Sequence, residues 1–108
     1  MKRTKSMIYK PSEESRELLL YAINTGRLYT TMIVPVVKNL ARKYSKGIYD
    51  DAKAVDAFFH IATEAAKMYA KEFAKNPEWS MIFDVTARFT TASDMVDYYY
   101  ENIEKGDL

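Results

Sequence analysis

Apolar residues recur along this chain mainly at spacings of three and four positions, which is the period of an amphipathic helix. The second of four such segments shows the pattern most clearly, because its apolar residues would occupy one helix face over three turns. These residues are Ile33, Val36, Val37, Leu40, Ala41 and Tyr44. The pattern predicts helices near residues 12–25, 30–46, 50–75 and 84–104, and therefore an all-α fold, a compact four-helix bundle.

The third predicted helix is the longest, and apolar residues cover most of its circumference. One face is formed by Val55, Phe58, Phe59, Ala62, Ala66, Tyr69, Ala70 and Phe73. The face beside it is formed by Ala54, Ala57, Ile61, Ala65 and Met68. A helix with two apolar faces must contact neighbours on two sides, so we expect this helix to be central in the bundle.

Short polar side chains mark the predicted helix starts. Ser12 stands at the start of the first helix, and either Asp50 or Asp51 caps the third. The fourth helix begins near Asp84 or Thr86. Each of these side chains can accept a hydrogen bond from an N–H group that the first helical turn leaves without a partner.

Two boundaries have alternative interpretations. Gly26 either ends the first helix in the left-handed conformation, or Thr25 starts the second helix at once. Pro35 either begins the second helix, where a missing N–H is tolerated, or kinks a longer helix. The sequence leaves both pairs of alternatives open.

The composition narrows the class of protein. The chain has 108 residues, 48% of them hydrophobic, and no cysteine. A chain of this length can bury one hydrophobic core without disulfide or metal cross-links. The lack of cysteine excludes disulfide scaffolds and thiol catalysis.

We expect a basic N-terminal arm over residues 1–10, a single helical domain over 11–105 and a tail over 106–108. The longest apolar run has six residues, too few to span a bilayer, so we expect a cytoplasmic protein that binds no membrane.

No catalytic motif is recognisable in the chain, which has three glycines and neither a Gly-x-Ser-x-Gly sequence nor a glycine-rich phosphate loop. His60 is the one histidine, and Asp56 and Glu64 lie four residues to either side of it on the same helix face. Such a face could bind a divalent cation, but helical metal sites also take ligands from facing helices. A solvated face is the better interpretation, and we predict a protein that is not an enzyme and has no cofactor or metal.

The net charge of +1 hides an uneven distribution of charge along the sequence. Residues 27–46 carry five basic residues and no acidic one, whereas residues 84–108 carry six acidic residues and two basic ones. The basic face of the second helix comprises Lys38, Arg42, Lys43 and Lys46, with Asn39 beside them. The acidic stripe of the fourth helix comprises Asp94, Asp97, Glu101 and Glu104, with Tyr98 beside it. A charge-polarised surface of this kind favours recognition of a charged partner.

Both charged faces also have a plainer interpretation, as solvated surface that keeps the protein soluble. On the fourth helix, Lys105 can offset Glu101 at i, i+4. Three successive residues of a helix span about 200° around its axis, so Tyr98, Tyr99 and Tyr100 cannot all face the core. If Tyr99 faces the core, Tyr98 and Tyr100 lie at the two edges of the buried face. Exposed tyrosines beside charge are typical anchors of protein interfaces.

Short strings distributed over residues 17–73 carry a resemblance to a known group of proteins. They are Asn24-Thr25-Gly26-Arg27-Leu28-Tyr29, Asn39-Leu40 with Lys43, Lys46-Gly47, Tyr49-Asp50, Lys53-Ala54, and Ala65-Ala66 followed by Tyr69. In these strings the chain resembles small α-helical proteins of unassigned function that bacteriophages and mobile elements encode. Many short proteins of that origin bind a host protein and disable or redirect it. The resemblance implies a host protein as the partner, and it carries over no functional residue.

The leading hypothesis from the sequence is a non-enzymatic protein-binding module that modulates a host protein through the acidic fourth helix or the basic second helix. The alternative is a nucleic-acid-associated protein that uses the basic second helix and the N-terminal arm, although a pI near 7.9 is low for that class. A metal-dependent enzyme around His60 is third. Self-association stays open, because the oppositely charged helices can pair within one chain or between two copies in a homodimer.

Overall fold

The computed structural model describes residues 12–74 and 83–108, and all regular structure within these ranges is helical. The helices are α1 (Glu13–Asn24), α2 (Gly26–Leu28, Tyr29–Ile33 and Val34–Ser45 in succession), α3 (Asp51–Tyr69, extended by Ala70–Ala74) and α4 (Val85–Lys105). The predicted all-α bundle of four helices is confirmed. The basic arm predicted over residues 1–10 and the helix end predicted near residue 75 lie outside the described residues.

Three helices begin at predicted caps. Ser12 forms a capping box with Ser15, in which the Ser15 N–H donates to Ser12 Oγ at 3.1 Å and the Ser12 N–H donates to Ser15 Oγ at 2.8 Å. Asp50, rather than Asp51, caps α3, because its side chain accepts hydrogen bonds from backbone N–H groups in the first turn of that helix. Asp84 caps α4 in the same way. Because each cap acts over two or three residues, local sequence is sufficient to place these helix starts.

The boundary between α1 and α2 follows the interpretation in which a new helix starts at once. Thr25 is extended, with φ −93° and ψ 104°, and its hydroxyl donates to the Tyr21 carbonyl at 2.5 Å. Gly26 is the first helical residue of α2, and the described glycines with positive φ are Gly47 and Gly106. Of the two alternatives, the one with a left-handed Gly26 is therefore wrong, because the extended Thr25 separates the two helices.

Pro35 lies inside a longer helix, in agreement with the second interpretation of its position. The turn before it, Tyr29–Ile33, is π-helical, and the Val34 N–H donates to the Tyr29 carbonyl five residues back. Proline has no N–H, and its ring would clash with the carbonyl four residues before it in an unbroken α-helix, so the wider turn accommodates it. The Thr31 hydroxyl also donates to a carbonyl of the preceding turn, at 2.6 Å.

The core forms where α4 packs against the other three helices, most extensively against α3. Helix α1 packs on both α3 and α4, while α2 packs mainly on α4. The largest apolar side chains that are fully buried are Leu18, Ile33, Val37, Phe58, Ile61, Phe83, Met95, Val96 and Ile103. Both predicted apolar faces of α3 contribute buried residues, in keeping with the predicted central position of this helix. Across the two described ranges, no helix has the length and apolar character that crossing a membrane requires.

Phe73 departs from the predicted buried face of α3. Its side chain is 59% exposed, although Ala70 three residues earlier is buried. The π-helical turn Ala70–Ala74 holds more residues than an α-helical turn, so it rotates Phe73 out of the i, i+4 register. In this position the Phe73 ring lies 5.9 Å from the ring of Tyr21 and 5.0 Å from that of Tyr69, measured between centroids.

Arg88, in the first turns of α4, is buried among polar and aromatic groups. Its Nε donates to the Phe83 carbonyl at 3.2 Å, and a terminal nitrogen donates to Thr63 Oγ1 at 3.1 Å. The guanidinium carbon lies 5.1 Å from the centroid of the Phe59 ring. Burial lowers the pKa of Arg88, while the nearby Asp84 carboxylate acts in the opposite direction. These contacts fix the start of α4 against α3, so the role of Arg88 is structural.

Candidate functional site

The structure divides the predicted basic face of α2 between two depressions. The first, which we call the basic depression, has a volume of about 420 Å³ and reaches the C-terminal end of α4. It is lined by Lys38, Ala41, Arg42, Ser45, Lys46 and Gly106. Lys43 instead lines the second, a space of about 250 Å³ that we call the α2–α3 cleft. The four predicted cations therefore do not form one site, because Lys43 points to the other side of the helix.

The three cations of the basic depression are exposed. None of them forms an ion pair with a carboxylate of the described residues, and Arg42 donates to Asn39 Oδ1 at 3.3 Å. Because Lys38, Arg42 and Lys46 are spaced four residues apart, they lie about 6 Å apart along the helix axis. They present a row of positive charge that an anionic partner can contact.

The C-terminal end of α2 is a Schellman motif centred on Gly47, which has a φ of 74°. The Gly47 N–H donates to the Tyr44 carbonyl at 3.0 Å, and the Ile48 N–H donates to the Lys43 carbonyl at 2.9 Å. The motif places Ile48 at the α2–α3 cleft with 63% of the residue exposed. Ile48 is not among the predicted site residues, although an apolar residue directly after the glycine that ends a helix is a recognisable signal.

Three tyrosines from different segments meet beside the end of α2. The rings of Tyr44, Tyr49 and Tyr100 pack edge to face, with centroids 5.8 to 6.2 Å apart. The Tyr44 hydroxyl donates to Glu104 Oε2 at 3.3 Å, and the Tyr49 hydroxyl donates to Asp51 Oδ1 at 3.1 Å. Burial raises the pKa of Tyr100, and its neighbours Tyr44 and Glu104 raise it further. This tyrosine cluster joins α2, the α2–α3 turn and α4, and no periodicity within one helix could have predicted it.

The predicted acidic stripe of α4 is less accessible than the basic depression. Asp94, Asp97 and Glu104 are half-buried, whereas Glu101 is exposed. Glu104 accepts a hydrogen bond from the tyrosine cluster, and Lys105 Nζ lies 2.5 Å from Glu101 Oε1, as the i, i+4 spacing predicts. The bond to Glu101 raises the pKa of Lys105. Part of the acidic stripe is therefore engaged within the chain itself.

The consecutive tyrosines of α4 divide as predicted, with Tyr98 58% exposed and Tyr99 5% exposed. Tyr99 stacks on Phe58 at a centroid distance of 6.0 Å, and burial, with smaller effects of Tyr98 and Tyr29, raises the pKa of Tyr99 to about 12. Tyr100 is half-buried at the other margin of the core. Tyr98 is thus the exposed aromatic residue of the α4 surface.

His60 lies on the polar face of α3, and its side chain is exposed. Asp56 is exposed as well, while Glu64 pairs with Lys67 at 3.5 Å. In the part of the chain that the structure describes, no group of three His, Cys, Asp or Glu side chains is placed to hold a metal ion. The Asp56, His60 and Glu64 side chains therefore do not assemble the metal site that their spacing allowed.

The fold and these surfaces define a small helical bundle with a charged, partly apolar exterior. A comparison with protein families, curated proteins and solved structures finds no match for this chain. The resemblance to phage-encoded and element-encoded helical proteins stays a prediction.

Proposed function

We propose that this protein is a non-enzymatic protein-binding module that contacts an acidic surface of its partner through the basic depression of α2. The observation that carries the proposal is the row of Lys38, Arg42 and Lys46, which are exposed and form no ion pair with a described carboxylate. They stand on a helix that packs against α4, so their spacing is set before a partner arrives. The resemblance adds that the partner is a host protein whose activity the binding modulates.

Accessibility favours α2 over the acidic stripe of α4 as the binding surface. Three of the four predicted carboxylates are half-buried, and the exposed one, Glu101, is paired with Lys105. A charge that is already engaged within the chain contributes little to recognition, because its partner must first be displaced. Tyr98, which is 58% exposed, is the feature that keeps the α4 surface as a second candidate.

A protein partner fits the surroundings of the basic depression better than a nucleic acid does. On the other side of α2, Ile48 is 63% exposed beside the largely apolar α2–α3 cleft. Protein interfaces combine an apolar centre with a charged rim, whereas nucleic-acid interfaces are much more uniformly basic. The overall pI near 7.9 points the same way.

Affinity capture from nuclease-treated host-cell lysate tests the proposal. Reversing the three cations of the basic depression (Lys38→Glu, Arg42→Glu and Lys46→Glu) should weaken capture by about ten-fold or more, since each reversal replaces attraction by repulsion. The matched control reverses three exposed cations elsewhere (Arg27→Glu, Lys67→Glu and Lys71→Glu), which gives the same net charge. We expect the control to retain the partners of the wild type.

Unchanged capture by the variant of the basic depression would refute its role. Capture that succeeds from untreated lysate but fails from nuclease-treated lysate, together with a salt-sensitive gel shift of DNA or RNA, would support the nucleic-acid alternative instead. The same capture with Tyr98→Ala tests the second surface, because unchanged partners would exclude α4 from the interface.

A further inference from the structure

The α2–α3 cleft is a small, largely apolar space on the opposite side of α2 from the basic depression. Its volume is about 250 Å³, and α2, the turn after it and α3 all contribute to its walls. The lining residues are Val36, Asn39, Leu40, Lys43, Ile48, Asp50, Lys53 and Ala57. Sites for drug-sized ligands and cofactors usually measure about 300–1,000 Å³, so this cleft matches a side chain rather than a cofactor.

The apolar part of the cleft comes from three segments. Val36 and Leu40 lie one helical turn apart on α2, and Ala57 faces them from α3 with a side chain small enough to leave space. Ile48 stands at the margin, 63% exposed, on the turn that the Schellman motif fixes. An aliphatic side chain of a partner would contact these groups and would cover Ile48, removing apolar surface from water.

The rim of the cleft has a net positive charge that the chain does not neutralise. Lys43 and Lys53 form no ion pair with a described carboxylate. The one carboxylate at the rim, Asp50, accepts the N–H groups of Ala52 at 2.9 Å and Lys53 at 3.4 Å as the cap of α3. Asp50 keeps its negative charge as a cap, so two lysines against one aspartate give the rim a net charge of +1. Charge complementarity therefore favours an anion next to an aliphatic group.

We propose that the α2–α3 cleft accepts an aliphatic side chain of a partner's peptide segment, while Lys43 and Lys53 bind carboxylates that neighbour it in that segment. This inference rests on the proposed function, because it specifies the chemistry of the partner: an acidic segment with an apolar residue at its centre. The basic depression on the other side of α2 then contacts further acidic residues of the same partner.

The test is a titration of the full-length chain, labelled with ¹⁵N, with the blocked peptide Gly-Glu-Leu-Glu-Gly, followed by NMR of the backbone amides. We expect saturable shifts at Leu40, Ile48 and Lys53. Two control peptides, one with Ser in place of Leu and one with Lys in place of both Glu, should bind about ten-fold more weakly or worse. Equal binding by either control, or shifts that avoid the cleft, would overturn the proposal.

Variants test the same contacts from the side of the protein. Ile48→Ser, and Lys43→Glu combined with Lys53→Glu, should each weaken peptide binding by about ten-fold. The matched controls are Leu20→Ser, an apolar residue of α1 that is 57% exposed, and Lys67→Glu combined with Lys71→Glu. The controls should bind as the wild type does, and an equal loss in them would overturn the assignment. Stronger binding of a single-stranded oligonucleotide at the same amides would also overturn it.

The cleft and the proposed function can fail separately. If the wild-type chain does not distinguish the three peptides, the cleft proposal is wrong, whereas capture through Lys38, Arg42 and Lys46 is unaffected. If reversal of those three cations leaves capture unchanged, the proposed function of the basic depression is wrong. Selective binding of the Gly-Glu-Leu-Glu-Gly peptide at the cleft would still support the cleft proposal.

Discussion

Burial gives neighbouring tyrosines of α4 different chemistry. Tyr98 is exposed and available to a partner, whereas Tyr99 is 5% exposed and stacks on Phe58. The pKa of Tyr99 rises to about 12, chiefly because burial disfavours its charged phenolate. On α2, by contrast, Lys38 and Arg42 are exposed and can be contacted by a partner.

The raised pKa of Tyr99 predicts a loss of stability in alkali. An ordinary tyrosine titrates near pH 10, so between about pH 10 and 12 the folded chain retains a phenolic proton that the unfolded chain releases. The stabilisation is fully present below pH 10 and falls by about 1.4 kcal/mol per pH unit as the pH rises through this window. Tyr99→Phe should therefore show a smaller fall in the free energy of unfolding than the wild type, measured by chemical denaturation.

The exposed neighbour serves as the control for this measurement. Tyr98→Phe changes a ring that is 58% exposed and has a smaller effect than burial on the pKa of Tyr99, so its alkaline profile should stay closer to that of the wild type than the profile of Tyr99→Phe does. The prediction would be wrong if Tyr99→Phe and the wild type lost stability in parallel.

Among the helices, α2 shows how one residue changes the geometry of a whole turn. Pro35 does not start the helix, because the chain is already helical from Gly26 onward. The π-helical turn Tyr29–Ile33 accommodates the proline, while Ile33 within that turn and Val37 on the following α-helix remain buried. The cations of the basic depression all lie on the α-helical segment Val34–Ser45 or at its C-terminal cap, after this turn.

Pro35→Ala should stabilise the protein. Alanine supplies the N–H that proline lacks and removes the ring, a gain that can approach 3 kcal/mol in a helix interior. Removing proline also gives the unfolded chain more conformational entropy, which reduces this gain in stability by about 0.4–1 kcal/mol. Pro35 is exposed, so no packing is lost, and we expect a net gain of about 1–2 kcal/mol in urea unfolding. A loss of stability would indicate that Pro35 acts as a helix start.

In the whole molecule, the oppositely charged helices meet within one chain. Helix α2 packs on α4, the Tyr44 hydroxyl donates to Glu104, and Gly106 lines the basic depression. Most of the acidic stripe is half-buried, which leaves little accessible negative charge for a second copy to contact. Of the two pairings that the sequence allows, this arrangement favours the one within a chain.

Light scattering of the purified protein tests this arrangement. We expect the monomer mass of 12.5 kDa at both low and high salt. A mass near that of two chains which falls as salt is added would instead support a homodimer held by charge, since added ions screen exposed charges.

Much of the fold follows from local sequence signals. The caps at Ser12, Asp50 and Asp84 could be predicted because their hydrogen bonds span two or three residues. The four helices and most buried positions follow from periodicity. The exposure of Phe73 could not be predicted in this way, because the π-helical turn that contains it changes the helical register. At the boundary between α1 and α2 the sequence left two alternatives open, and the structure follows the one in which a new helix starts directly after Thr25.

The sequence by itself determined the helical class, the starts of α1, α3 and α4 to within two residues, and the separation of basic and acidic residues along the chain. The tertiary structure decided which of those charges stay accessible, how Lys43 separates from Lys38, Arg42 and Lys46, and that Ile48 borders a cleft. The physical reason is range: caps and periodicity depend on residues a few positions apart, whereas exposure and cleft formation depend on which distant segments pack against each other.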